Sequence, residues 1–336
     1  MRPLVKILLR TAQWPAQVFS APRILTDSST PPQRILVWTM DRIGDVLRMT
    51  PALRALREAF PDAHLAMVVA GRAAPVLGNN PRLDAVHIVN RAHAMGDHVG
   101  AARAIRQEQF DLGMLLEVDP GWASLGNLWM RYLGVERVAG FCFDGGGPAG
   151  VRAIALQAGE SWNSQFIRLA RAVGASTPNA ATEVFLSDRE RAEAPRVIAG
   201  LGADPGQPFA VIHPGGNFLT VSRQWGSSRY AAVADTLQER WGLAVIVTGI
   251  AQERTTIDAL QAAARLPVVN ACDKLSLRQL MAVLDRAAIC VMNDTGPLHL
   301  AQALGRPSVA VLGPTAPEVV GIAPHTVVAR KELQCS

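Results

Sequence analysis

AAICVMNDTGPLHLAQALGRPSVAVLG, residues 287 to 313, contains a complete structural unit. AAICVM and PSVAVLG are short, apolar, β-branched runs with no helical period, the pattern of buried strands. Between them, Asn293, Asp294 or Thr295 can cap a helix, and Pro297 suits its first turn. A helix between two such strands implies a parallel sheet. Gly296 leaves the backbone open at the helix start. Free N–H groups and the helix dipole there favour an anion such as a diphosphate. His299 lies on the first turns. Alone, it fits a core histidine bonded to a carbonyl better than a ligand contact.

The same alternation fills the chain from Arg34 onward. RILVWTM (34–40), HLAMVVAG (64–71), AVHIVN (85–90), FDLGMLLEV (110–118) and VERVAGF (135–141) read as strands. VLRMTPALRALREAF (46–60) reads as a helix with Val46, Leu47, Leu53, Leu56 and Phe60 on one broad face. A second series begins at PFAVIHPGG (208–216) and continues through LAVIVTG, LPVVN and the opening unit. Ser187 and Asp188 are candidate caps for a helix ahead of it. The fold class is therefore α/β, with two parallel-sheet domains in tandem. Residues 1–33 form a basic segment and linker, 34–178 the first domain and 186–336 the second. A cleft between the domains, at the carboxyl ends of the strands, is the expected ligand site. GAARAIRQEQ (100–109) has a helical pattern, residues 96–134 as a whole read as less regular, and GFCFDGGGPAGV (140–151) reads as a loop. Its literal G-x-G-x-x-G at Gly145, Gly147 and Gly150 is discounted as a dinucleotide fingerprint. The strand before it is poor, Pro148 interrupts it and no acid follows at the ribose position.

The 336 residues are 49% hydrophobic and 18% charged, which excludes a disordered chain. Net charge is +5, but the basic residues are scattered, so a nucleic-acid interface is weakly supported. The excess suits an acidic substrate or an anionic membrane surface equally. Cys142, Cys272, Cys290 and Cys335 form no C-x-x-C pair, which argues for a reducing compartment, no zinc and a buried Cys290. In MRPLVKILLRTAQWPAQVF, Arg2, Lys6 and Arg10 interrupt every apolar stretch. No signal sequence or membrane span fits there. An interfacial helix on an anionic leaflet and a short packed or frayed helix fit equally well.

Three strand-exit turns can carry chemistry. In TMDRIGDV, Gly44 permits a tight turn and Asp45 opens a helix, either as its cap or as a reactive carboxylate. In VIHPGGNFLTVSRQW, Gly215 and Gly216 follow His213 and Pro214 directly. They let backbone N–H groups approach a ligand, and Arg223 can pair with a phosphate. The third is the opening turn. TGIAQE adds Glu253 as a candidate ribose acceptor. There is no P-loop, no H-E-x-x-H and no G-x-S-x-G. No D-x-D pair is present to hold a divalent ion on a nucleotide diphosphate.

GDV followed by TPALRAL, then HPGG with RQW, then TG with Glu253, then NDTGPLHLAQALG with PSVAVLGPT resembles glycosyltransferase family 9. These are the ADP-heptose:lipopolysaccharide heptosyltransferases and their relatives. The resemblance runs from Arg34 to Pro317 and rests on the order and spacing of these motifs. It implies a GT-B architecture, two Rossmann-like domains facing across a deep cleft. The first would hold the acceptor and the second the nucleotide sugar. It implies inverting, metal-independent transfer from an ADP-sugar to a lipopolysaccharide-core-type acceptor, with no cofactor. Asp45 falls on the general base. Asp294, Thr295, Gly296 and His299 fall on the diphosphate cradle, Arg223 on the basic residue before the motif Trp and Glu253 on the ribose contact. Gly44, His213, Gly215 and Gly216 complete the candidate nucleotide-sugar set. A cytoplasmic protein, peripheral to the inner membrane, is implied. The chain departs from the family at three points. Arg223 stands where Lys is common, Gly226 stands where Pro commonly follows the Trp, and VVARKELQCS offers no closing helix. Truncation is therefore one reading of the C-terminus. A nucleotide-sugar epimerase of the same fold and an inactive nucleotide-sugar-binding module are the alternatives to transfer.

Overall fold

A computed structural model describes residues 30–142, 151–216, 225–313 and 315–330. The first half runs β1 (Arg34–Trp38), α1 (Ile43–Ala59), β2 (His64–Ala70), β3 (Ala85–Val89), α2 (Met95–Ile105), β4 (Leu112–Leu115), α3 (Pro120–Leu133), β5 (Arg137–Cys142), β6 (Arg152–Ala155) and α4 (Trp162–Arg171). The second runs α5 (Asp188–Gly200), β7 (Phe209–His213), α6 (Ser227–Trp241), β8 (Ala244–Gly249), α7 (Arg254–Ala263), β9 (Val269–Cys272), α8 (Leu277–Leu284), β10 (Ile289–Asn293), α9 (Gly296–Ala303), β11 (Ser308–Leu312), α10 (Pro317–Val320) and β12 (Thr326–Arg330). Each half holds one six-stranded parallel sheet, in the orders β3-β2-β1-β4-β5-β6 and β12-β11-β10-β7-β8-β9. Counted from its own first strand, each order is 3-2-1-4-5-6, the Rossmann order. The strand order therefore reverses at β1/β4 in one sheet and at β7/β10 in the other. At such a point the two loops leaving the strand ends diverge and open a crevice.

The core explains why both sheets are parallel. Helices α2 and α3 pack one face of the first sheet around Leu36, Trp38 and Met130. Helices α6 and α7 pack one face of the second around Ile212, Tyr230 and Ile257. The remaining faces share one continuous cluster that joins the two halves, from Val37, Leu53 and Phe166 to Leu284, Met292 and Leu298. Cys290 is fully buried within it, and that burial pushes its thiol up to about 12.

Several elements differ from the sequence expectation. Helix α1 starts at Ile43, three residues earlier than its apolar pattern, and every residue from Leu53 to Leu56 is buried. The single apolar face understates its burial because α4 and α9 cover it in addition to the sheet. α2 overlaps the helical pattern of GAARAIRQEQ, but the stretch read as less regular also contains α3, whose Gly121, Trp122, Gly126 and Trp129 blur the helical period. Strands β6 and β12 were not anticipated. β6 is a mostly exposed edge strand that lacks the apolar run of a buried one. Ser187 caps α5 in a reciprocal capping box with Glu190. The G-x-G-x-x-G lies outside the described residues.

Helix α1 also carries Pro51, which cannot donate to the Leu47 carbonyl one turn back. The Thr50 hydroxyl donates to that carbonyl at 2.7 Å instead. The same hydroxyl accepts the Glu183 N–H at 2.9 Å. The Thr-Pro pair thus repairs the helix and holds the connecting segment. Arg54, buried on the same helix, donates to the Asn179 and Ala181 carbonyls and to Glu183, all within 3.0 Å. Farther along, Arg278 of α8 donates to Phe185 O at 2.7 Å, to Glu190, and to Pro75 O at 3.1 Å in the first half. Its guanidinium holds the Glu190 carboxyl down at about 2.

Gly126 marks the tightest packing on α3. A Cβ there would lie 2.6 Å from the Trp38 ring and 2.8 Å from Leu115. Gly126→Ala is expected to destabilise the protein by about 1–3 kcal/mol through overpacking, measured by urea titration. An unchanged midpoint would show that Trp38 can move aside.

Candidate active site

Both switch points open on the same cleft. β1 delivers Thr39 to Asp45, β4 delivers Glu117, β7 delivers His213 to Gly216 and β10 delivers Asn293 to Thr295. Helices α1 and α9 meet by their first turns. A Cβ on Gly44 would lie 3.0 Å from His299 Cδ2, and one on Gly296 would lie 3.3 Å from Ile43 Cγ2. Glycine at both positions allows this close approach.

The capping position of α1 is Arg42, so Asp45 is not the cap; it sits one turn inside, half-buried. Its Oδ1 lies 3.4 Å from Arg48 Nη1. On α9 the capping position is Thr295, but its side chain does not cap the helix. The hydroxyl instead donates to Asn293 O at 3.2 Å. Pro297 has no N–H and the Leu298 N–H donates to Thr295 O at 3.1 Å, so what the start of α9 offers an anion is the helix dipole and the open backbone at Gly296. Asn293 holds the neighbouring Gly pair. Its Nδ2 donates to Pro214 O at 2.8 Å and Gly215 O at 2.9 Å, while Tyr230 donates to its Oδ1 at 2.7 Å.

Glu253 is 7% exposed and sits behind that loop. It accepts the Ile250 N–H at 2.9 Å, and its Oε1 lies 3.6 Å from His213 Nε2. Burial pushes its carboxyl up, but His213 and the N–H groups of Ile250 and Gly216 outweigh that and hold it low. A Cβ at Gly215 would lie 2.0 Å from Glu253 Oε1, so only glycine fits over this carboxylate. His213 is fixed from its other side by Thr248, 3.2 Å from Nδ1. Glu253 thus braces the loop that carries Gly215 and Gly216. Arg223 lies outside the described residues.

His299 is buried, with Nε2 2.9 Å from Arg48 Nη2. An arginine can only donate, so Nε2 accepts and the proton sits on Nδ1. Burial, then the Arg48 charge, lowers the imidazole pKa despite Asp294, whose Oδ1 is 3.7 Å from Nε2. His299 is therefore a neutral acceptor facing the other half of the molecule.

Three site residues escaped the sequence reading. Arg48 was absorbed into a helical pattern. Asp41 and Glu117 were absorbed into a turn and an apolar run. Glu117 is fully buried and accepts the Met40 N–H at 2.9 Å and the Val118 N–H at 3.1 Å. Burial, with Glu117 and Asp45 close by, raises the Asp41 carboxyl to about 9. Asp41 is therefore held in its neutral form. An acid closing an apolar strand run was the available signal for Glu117.

The His299 assignment is testable by ¹⁵N NMR. Its ring is expected to remain the neutral Nδ1–H tautomer at pH 6, below the ordinary imidazole pKa of about 6.5. A protonated ring at that pH would show that Arg48 does not occupy Nε2.

Comparison with known proteins identifies the family and the fold. The model for glycosyltransferase family 9 (heptosyltransferase) matches residues 160–336, just over half of the chain. Lipopolysaccharide heptosyltransferase 1 of Pseudomonas aeruginosa is 27% identical over 302 residues, covering 86% of this chain and 81% of that one. The family 9 glycosyltransferase of Veillonella parvula superposes with a TM-score of 0.76 at 20% identity, covering 89% and 86% of the two chains. The Escherichia coli ADP-heptose lipopolysaccharide heptosyltransferase II superposes with a TM-score of 0.75 at 19% identity, covering 90% and 92%. The chain belongs to glycosyltransferase family 9, the heptosyltransferases, and is a glycosyltransferase of GT-B architecture.

Proposed function

We propose that this protein moves a heptose-type sugar from an ADP-sugar to a lipopolysaccharide-core-type acceptor, with inversion at the anomeric carbon and without a metal ion. One observation carries the reading. Asp45, at the switch point of the first sheet, faces the uncapped start of α9 at the switch point of the second. A base and an anion cradle on opposite walls suit in-line displacement. Residues 34–178 would present the acceptor and residues 186–336 the nucleotide sugar.

Asp45 would take the proton of the acceptor hydroxyl as its oxygen attacks C1. The C1–oxygen bond to the diphosphate breaks, and negative charge grows on the departing nucleoside diphosphate. The α9 dipole, Thr295, Gly296 and Arg223 would meet that charge, as an oxyanion hole does. Gly215 and Gly216 would admit the nucleotide close to the backbone, with Glu253 near the ribose and His213 fixing both. The absence of a D-x-D pair leaves this neutralisation to helix ends and basic side chains. The ADP donor is supported by the similarity to the Escherichia coli ADP-heptose lipopolysaccharide heptosyltransferase II. No helix among the described residues is long and apolar enough to cross a membrane. The segment proposed for peripheral membrane contact lies within residues 1–29, outside the described residues.

Two experiments test the proposal. In a thermal-shift panel of ADP, UDP, GDP and their sugars, ADP and ADP-heptose are expected to stabilise most; preference for UDP or GDP would reject the donor. Asp45→Asn is expected to lower kcat by about 10²–10⁴-fold while ADP affinity by calorimetry stays within about twofold. Full turnover in that variant would remove Asp45 from the mechanism.

A further inference from the structure

Arg48 connects the two walls of the cleft. It projects from the second turn of α1, and its side chain is 12% exposed. Nη1 lies 3.4 Å from Asp45 Oδ1 on its own helix. Nη2 lies 2.9 Å from His299 Nε2 and 3.8 Å from Asp294 Oδ1, both in the second half. Nε is buried without a hydrogen-bond partner, so the guanidinium is held by its two terminal nitrogens alone. One cation thus stands between two carboxylates that would otherwise repel each other across the cleft. The third neighbour, His299, is neutral and adds no competing charge.

We infer that Arg48 is a positioning residue that fixes Asp45, on one wall, against Asp294 and His299 on the other, setting the base and the anion cradle in one frame. This rests on the reading of Asp45 as the base. Arg48 acts through Asp45 in two ways. It orients the carboxylate, and its charge favours the ionised form that can accept a proton. The charged or titratable groups around Asp45 are Asp41 at the end of β1, with Glu117 behind it, Arg48 on α1, and Asp294 and His299 at the start of α9. Among these, Arg48 is the positive one, and the others oppose ionisation of Asp45 or are neutral. Without Arg48 the Asp45 carboxylate loses its partner on α1 and its link to His299 and Asp294.

The test compares Arg48→Met and Arg48→Lys in the full chain, with ADP-heptose and a heptose acceptor. Arg48→Met is expected to lower kcat by about tenfold to 100-fold at neutral pH. The donor KM and the calorimetric ADP affinity should change by less than about twofold, and Arg48→Lys should recover part of kcat. If ADP affinity instead falls in step with kcat, Arg48 is a diphosphate ligand and the inference is overturned. An unchanged kcat overturns it equally. A second readout is the crystal structure of substrate-free Arg48→Met, in which the Asp45 carboxylate is expected to leave its place against Asp294 and His299. An unmoved carboxylate rejects the inference without reference to activity. A wild-type enzyme that transfers nothing rejects the functional reading instead, while the position of the carboxylate still decides the role of Arg48. Should Arg48→Met fail to fold, Arg48→Lys and Arg48→Gln carry the same two readouts.

Discussion

Two helix starts meet head to head in this molecule, and the arrangement of the cleft follows from that contact. Each start carries the partial positive charge of its helix dipole. Bringing two of them together is unfavourable unless negative charge accompanies them. Asp45 on α1 and Asp294 before α9 supply it, with Arg48 between. Gly44 and Gly296 make the contact possible sterically, since a side chain at either would press on the opposite helix. The glycines of the GDV and DTG turns are thus explained by close approach; neither has the left-handed backbone that favours glycine.

The electrostatic arrangement is layered. Burial beside Glu117 and Asp45 raises the Asp41 carboxyl to about 9, which keeps it neutral in the company of two other acids. On the opposite wall, Glu253 is buried but stays ionised because His213 and two backbone N–H groups hold it. Two buried acids in one cleft thus take opposite states, and the difference lies in what each accepts from.

The alternation of apolar runs and helical stretches made the two parallel sheets legible, since parallel strands buried on both faces leave little room for polar residues. Candidate residues at the strand ends were legible for a related reason. Gly and Pro interrupt the pattern there, and few other residue types tolerate those turns. Arg48 and Glu117 were hidden because their importance depends on what lies opposite in space. His299 sits 251 positions from Arg48 in the chain, and no local pattern encodes that pairing. The role of Glu253 was legible only as a position. That it braces Gly215, where no Cβ fits, needed the three-dimensional contact. Strand β6 was missed because an exposed edge has no need of the apolar run that marks a buried strand.

The segment between the two sheets has a consequence for binding. Thr50, Arg54 and Arg278 hold its backbone at Asn179, Ala181, Glu183 and Phe185. A free tether of that length would let the two walls sample many relative orientations, and a ligand would have to select one. Here the connection is fastened to α1 and to α8. Most of the orientational entropy that separates two reactants in solution is therefore lost during folding, before either substrate arrives. The cleft meets its ligands as a nearly finished template, and the binding energy they bring remains available for the chemical step.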